Sequence, residues 1–252
     1  MRVDRNHPRI YSKLMAGSYL GRKRIPVPNF VNLADFLCWE TTTRQRGIQI
    51  HTLDNDLWVH LGDIAEKLSF VWLAYDQFDK QRKIPRGLDL YGKYYFYNFI
   101  IYAKAALDSV SVLLNYHYDL GFSKGDIDLN KAKFVAKLGS LRRFSGFEGK
   151  YSAEIARISK LRDIIIHRHA VDLVSKPLRK DWSIVVAVIK VARAFSYLEK
   201  GEQIPYEGKV AVSVMRDMRA FLLSLVEEGS TEILKDLRRE YPRHEFSRSY
   251  YK

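Results

Sequence analysis

Arginine, aspartate and histidine occur at close spacing in one apolar segment, LRDIIIHRH, which runs from Leu161 to His169. If this segment is helical, Asp163 and His167 are four positions apart and lie on the same face. A carboxylate beside an imidazole favours the protonated ring and places its titration near neutral pH. The three consecutive isoleucines surround the helix with apolar surface, so at least one polar group must lie beside buried surface or at an interface. Two interpretations remain open: a solvated helix face with an Asp–His pair, or an active site.

Helical geometry separates the arginine of this segment from its first histidine. Arg162 and His167 are five positions apart, which turns their side chains about 140° away from each other on a regular helix. Aiming both at one atom requires a distorted turn, the long reach of arginine, or a second chain. Arg162 and His169 are seven positions apart and about 10.5 Å apart along the axis, a separation that suits a phosphate backbone.

Other catalytic and metal-binding patterns are missing from the sequence. It contains no phosphate-binding glycine loop, no HExxH and no GxSxG. His167 and His169 lie about 200° apart on a helix, so joint chelation of a metal ion is not expected. The single cysteine, Cys38, excludes an internal disulfide and a cysteine-based zinc site. We therefore expect neither a metal nor another cofactor.

Long amphipathic helices must position this segment, because apolar residues recur at helical spacing along most of the chain. The predicted helices begin near Asp56, Tyr91, Asn130, Ser152, Asp181 and Glu207. The last two are predicted to end near Glu199 and Glu228, with Gly201 and Gly229 as C-caps. Alternation typical of strands is nearly absent. The predicted fold is therefore all-α, an antiparallel helical bundle with an irregular N-terminal extension.

The chain divides into three predicted regions. Residues 1–54 form a basic extension rich in proline and glycine, which is either a turn-rich arm or a short hairpin packed on the main body. Residues 55–230 form the helical bundle, and residues 231–252 form a polar tail. The many aromatic residues near the start of the second predicted helix are expected in the core and at interfaces rather than as platforms for nucleobases.

Positive charge is the most informative bulk property. The 252 residues carry a net charge of +13, and residues 131–180 hold thirteen Lys and Arg against four Asp and Glu, a local excess of +9. Such a concentration favours a polyanionic partner, RNA or a nucleotide, because neutralised phosphates release their counterions. The polar N-terminus, the short apolar runs and the single cysteine predict a soluble cytoplasmic protein with no membrane contact.

The segment KLRDIIIHRH resembles the signature of the HEPN superfamily (higher eukaryotes and prokaryotes nucleotide-binding), in which arginine, a polar residue and three variable residues precede histidine. Here these are Arg162, Asp163, Ile164 to Ile166 and His167. Asparagine is the commoner second residue in that family, and aspartate adds a negative charge near the phosphate. The resemblance extends to the helical architecture of residues 55–228, and residues 1–50 have no counterpart in it.

The resemblance implies a metal-independent endoribonuclease of a defence or toxin–antitoxin system, with two motifs facing each other across a homodimer. It implies that His167 is the general acid or base, that Arg162 stabilises phosphoryl charge, and that Asp163 orients His167 or the substrate. Expected contacts to the RNA backbone are Lys160, Arg168, His169, Arg142 and Arg143. An antitoxin or another regulatory protein would be a further partner.

Two alternatives stay open. One is a non-catalytic HEPN-like module that binds nucleotide, RNA or a partner protein. The other is a helical interaction protein whose motif is fortuitous.

Overall fold

The computed structural model describes residues 27–43, 47–82, 88–168, 171–177, 185–191 and 202–242. Within these ranges the chain forms α-helices and two short hairpins. The helices are α1 (Pro28–Leu37), α2 (Asn55–Gln81), α3 (Lys93–His117), α4 (Ala132–Gly139), α5 (Phe147–His167) and α6 (Ala211–Glu240). The strands are β1 (Cys38–Thr43), β2 (Gly47–Thr52), β3 (Val171–Pro177) and β4 (Val185–Val191). A π-helical turn (Leu88–Gly92) precedes α3, and a 3₁₀ turn (Arg142–Phe144) precedes α5. The predicted helical bundle is confirmed.

Helices α2 and α3 form an antiparallel pair at the centre of the bundle. Their contacts run in opposite order along the two helices, from Phe78 against Phe96 to Phe70 stacked on Tyr102. The apolar stripe predicted on α2 is buried, and the Asp54 side chain accepts a hydrogen bond from the N–H of Leu57 at 2.9 Å. Asp54 is therefore the N-cap, one or two residues before the predicted Asn55 or Asp56.

Helices α5 and α6 pack against α3 and complete the core. Tyr151 of α5 is buried, and its hydroxyl donates a hydrogen bond to the Glu228 carboxylate of α6 at 2.5 Å. Helix α5 begins at Phe147, five residues before the predicted start near Ser152. The aromatic ring of Phe147 is buried, which explains why the helix starts there despite the flanking glycines.

The predicted helix from Asp181 to Glu199 is wrong for the part of it that the structure describes. Residues 185–191 form strand β4, which pairs antiparallel with β3 in the register Val171 to Val191. The run VVAVIKV is dominated by β-branched residues, which favour the extended backbone over a helix. On its other edge, β4 meets Val210 through a bridge at Val188, and Ala187, Val188 and Ile189 are buried.

The region boundaries also need correction. Helix α6 passes through Gly229, which is buried against Leu114 of α3, and continues to Glu240. Residues 231–240 therefore belong to the bundle instead of the polar tail, and Gly229 is not a C-cap. In the predicted extension, α1 packs on α6, where the Glu227 carboxylate accepts a hydrogen bond from the N–H of Asn29 at 2.9 Å. Strands β1 and β2 form a hairpin, which was one of the two forms considered for this region.

The stretch Leu90–His117 is long and apolar enough to cross a membrane by length and composition alone. Half of its most apolar part is buried inside the structure, where α3 packs against α2, α5 and α6. The central helix of a helical bundle has the same composition. Burial in the bundle accounts for the apolar character of α3.

Candidate functional site

The motif residues lie on the last two turns of α5. Arg162 is partly exposed, whereas Asp163 and His167 are exposed. Leu161, Ile164 and Ile165 beside them are buried in the core. The helix stays regular to its end, since the N–H of Arg168 donates to the carbonyl of Ile164 at 3.0 Å. Because the helix is not distorted, Arg162 and His167 keep the angular separation of about 140° that five residues impose.

Asp163 interacts with the arginine beside it. A guanidinium nitrogen of Arg162 donates to the Asp163 carboxylate at 2.9 Å, with 36% of the arginine side chain and 59% of the aspartate side chain exposed. Within the described part of the chain, no hydrogen bond or ion pair to the His167 ring is found. The predicted pairing of Asp163 with His167 is therefore not observed, because the Asp163 carboxylate pairs with the long side chain of Arg162 instead. The His167 ring lies at the surface without a fixed partner.

A partly buried ionic network on α3 lies within electrostatic range of Arg162. Lys104 is almost fully buried and pairs with Asp108 one turn later and with Asp128 at 3.3 Å. Burial raises the pKa of Asp108, and the neighbouring cations Lys104 and Arg162 oppose that shift. Asp108 is 54 positions from Arg162, so motif spacing alone does not reveal this neighbour.

Most cations predicted to hold RNA are engaged in ion pairs within the chain. Lys160 and Arg168 both pair with Glu202, Lys160 at 3.6 Å to its Oε1. Arg143 pairs with Asp236 of α6. Arg142 is exposed, and no ion pair joins it to another described residue. His169, the remaining predicted contact, lies outside the described residues.

A second group of the same residue types surrounds the C-terminal end of α3, and no motif in the sequence pointed to it. The Nε2 atom of His117 lies 3.7 Å from the Asp236 carboxylate, which also binds Arg143. The Arg143 guanidinium sits over the ring of Tyr118 at 5.3 Å from its centroid. Burial and the charge of Arg143 lower the pKa of His117 to about 4. We call these four residues the His117 cluster.

No group of three or more metal-ligating side chains is found in the ranges that the structure describes. Comparison of the chain with family models, with curated proteins and with solved structures gives no match. The functional interpretation therefore depends on the residues of the chain itself.

Proposed function

We propose that the protein is a metal-independent endoribonuclease that cleaves single-stranded RNA at a site shared between two copies of the chain. The observation that carries this proposal is the position of Arg162 and His167 at the end of α5. Both reach solvent, and they point in directions that differ by about 140°. The two side chains of one chain diverge from each other, whereas two chains facing each other can direct both groups at the same phosphate.

In this proposal His167 acts as the general base or acid on the ribose 2′-hydroxyl and the leaving 5′-oxygen. Attack of the 2′-oxygen on phosphorus breaks the bond to the 5′-oxygen and leaves a 2′,3′-cyclic phosphate. Arg162 stabilises the charge that develops on the phosphoryl oxygens. The exposed His167 ring is accessible to an RNA strand, and the net charge of +13 favours association with it.

Cleavage in the presence of EDTA tests the proposal directly. We expect the wild-type protein to cut a mixed-sequence single-stranded RNA, and the His167→Ala variant to cut it about 10²- to 10⁴-fold more slowly. Equal cleavage by both proteins would indicate a contaminating nuclease and would overturn the proposal.

Mixing two inactive variants tests whether the site is shared. Subunits carrying Arg162→Ala and subunits carrying His167→Ala are each expected to be inactive alone. In a mixture, half of the dimers are mixed, and each mixed dimer keeps one intact site, so about a quarter of the wild-type activity should return. No recovery despite subunit exchange would argue that each chain uses its own Arg162 and His167.

A non-catalytic module that binds RNA or nucleotide is the second candidate function. The Asp163 carboxylate favours this non-catalytic function, because it binds Arg162 and adds negative charge where a phosphate would bind. RNA binding that weakens steeply with salt, without cleavage in any buffer, is the result expected for this function.

A further inference from the structure

Residues 129–147, which include α4 and the following 3₁₀ turn, carry five Lys and Arg residues and no Asp or Glu. Two of the five, Lys131 and Arg143, are held in ion pairs with carboxylates of the chain. The other three are exposed, and no hydrogen bond or ion pair joins their side chains to another described residue: Lys133, Lys137 and Arg142. We call these three residues the α4 ridge. Their charge is available to an anion from outside the chain.

The packing of α4 brings the ridge cations to one surface. Lys133 and Lys137 are four positions apart, so they lie on the same helix face, about 6 Å apart along the axis. Arg142 follows in the 3₁₀ turn, which is fixed to the core by the buried ring of Phe144. The side of α4 that faces the core consists of buried apolar residues: Phe134, Val135 and Leu138.

Contacts before and after α4 place the ridge along helix α3. Asp128, just before α4, binds Lys104 at 3.3 Å. Phe144, just after α4, meets the ring of Tyr118 edge to face, with the ring centroids 5.4 Å apart. Lys104 and Tyr118 are fourteen residues apart, which corresponds to about 21 Å along a helix axis. The α4 ridge therefore extends in the direction of α3 over its second half.

Helix α5, which carries the motif, runs in the opposite direction beside both. Its first residue, Phe147, meets the Phe144 ring at 6.1 Å between centroids. At the other end, the strand that follows α5 meets the start of α3, where the Tyr97 hydroxyl donates a hydrogen bond to the carbonyl of Val171. Arg162 is fifteen residues after Phe147, about 22 Å along α5. Arg162 and the beginning of α4 thus lie at about the same height along the bundle, and α4 packs on α5.

The chemistry of the ridge favours RNA over a lipid surface. A helix that binds in the membrane interface inserts an apolar face. The apolar face of α4 is already buried, and none of the large exposed apolar side chains of the described chain lies in residues 129–147. A row of exposed cations without an apolar face suits a chain of phosphates, whose counterions are released on binding.

We propose that the α4 ridge binds the phosphate backbone of single-stranded RNA and leads the strand to the site of Arg162 and His167. This inference rests on the proposed function, from which it takes RNA as the ligand. It adds Lys133 and Lys137 to the predicted contact Arg142. The ridge does not touch the reacting phosphate, so its loss should raise KM and leave kcat nearly unchanged.

Fluorescence anisotropy in the His167→Ala background, which prevents cleavage, tests the assignment. The ridge variant combines Lys133→Gln, Lys137→Gln and Arg142→Gln. It should bind a single-stranded RNA of about 20 nucleotides about 10- to 100-fold more weakly at about 0.1 M salt. The slope of log K against log salt should become shallower by up to about 2, since each phosphate contact contributes about 0.7.

The matched control removes three charges from other elements. It combines Lys80→Gln on α2, Lys209→Gln before α6 and Arg216→Gln on α6, all at exposed positions. Both triple variants lower the net charge equally, so a general effect of charge should appear in both. The control should keep the wild-type slope. Both variants should unfold at the wild-type urea concentration, because the changed side chains are exposed.

The outcomes separate this inference from the ribonuclease proposal. If the ridge variant loses RNA binding and the wild-type protein cleaves no RNA, the ribonuclease proposal fails and the ridge assignment stands. Equal weakening in the two triple variants, or a wild-type protein that binds no RNA, would overturn the assignment. Unchanged RNA binding by the ridge variant, together with lost binding to phosphatidylserine vesicles, would also overturn it and would assign the ridge to a membrane surface.

Discussion

Among the described residues, arginine, histidine and aspartate occur close together at the end of α5 and at the His117 cluster. The first group lies on the solvent-facing side of one helix end, where Asp163 binds Arg162 and the His167 ring is left at the surface. The second group joins three elements, and only 12% of the His117 side chain is exposed. Burial and mutual pairing assign the second group to stability, while exposure leaves the first group available to a ligand.

The charges of the two groups are balanced differently. In the His117 cluster one carboxylate, Asp236, faces both His117 and Arg143. Burial and the charge of Arg143 outweigh the charges of Asp54 and Glu240, which favour a protonated His117, so the ring stays neutral near pH 7. At the end of α5, Arg162 pairs with Asp163, and no carboxylate among the described residues pairs with His167. The same residue types therefore serve different purposes, depending on which side chains pair with the carboxylate.

The largest effect expected from this difference is on the pH dependence of stability. The pKa of His117 falls from its usual 6.5 to about 4 in the folded protein. Between these values the unfolded chain binds a proton that the folded chain does not, so the free energy of unfolding should decrease as the pH falls. Over about 2.5 pH units the decrease amounts to about 3 kcal/mol. Urea unfolding at pH 7, 6, 5 and 4 measures it.

A pair of histidine variants completes this experiment. His117→Gln removes the titrating group, so the stability difference between wild type and variant should shrink by about 3 kcal/mol between pH 7 and pH 4. His167→Gln, the same change on the exposed end of α5, should follow the wild-type curve. A His117→Gln curve parallel to that of the wild type would refute the proposed role of burial.

The next effect separates two adjacent arginines that were both predicted to bind RNA. Arg143→Ala removes the closer of the two arginines that pair with Asp236 and uncovers the Tyr118 ring, which should cost about 1–3 kcal/mol of unfolding free energy. Arg142→Ala removes the same charge from an exposed position and should change stability by less than about 0.5 kcal/mol. Urea unfolding at pH 7 compares the two variants. Equal losses would contradict the structural role assigned to Arg143.

The spacing of apolar residues was sufficient to predict the central helices, but it gave a helix where the structure has strand β4. The stripe on α2 and the apolar spacing of α3 can be satisfied only by a helix with one buried face. In residues 185–191 nearly every residue is apolar, so helical and extended backbones both bury the run, and pairing with β3 decided the outcome. Gly229 illustrates a related limit, because a glycine inside a helix and a glycine that ends one look alike until its neighbour, Leu114, is known.

The candidate site likewise has features that local spacing predicts and features that it does not. Local spacing was enough to predict that Arg162 and His167 diverge on a regular helix, and α5 is regular. Glu202, which pairs with the flanking cations Lys160 and Arg168, comes from a distant part of the chain, and no pattern within α5 identifies it. Asp163 lies near both Arg162 and His167 in the sequence, and side-chain reach decided which of them it binds.

The smallest effect concerns the cations that flank the site. Lys160 and Arg168 are both partly exposed, and Glu202 pairs with each of them. Glu202→Gln should release two positive charges for RNA, so that binding becomes several-fold tighter and the slope of log K against log salt steepens by up to about 1.4. Fluorescence anisotropy with single-stranded RNA measures both the affinity and the slope, in the His167→Ala background that prevents cleavage.

Glu148→Gln makes the same change of net charge at an exposed glutamate near the start of α5 and is the matched control. If the two variants steepen the slope equally, overall charge explains the effect and Lys160 and Arg168 do not contact the RNA backbone.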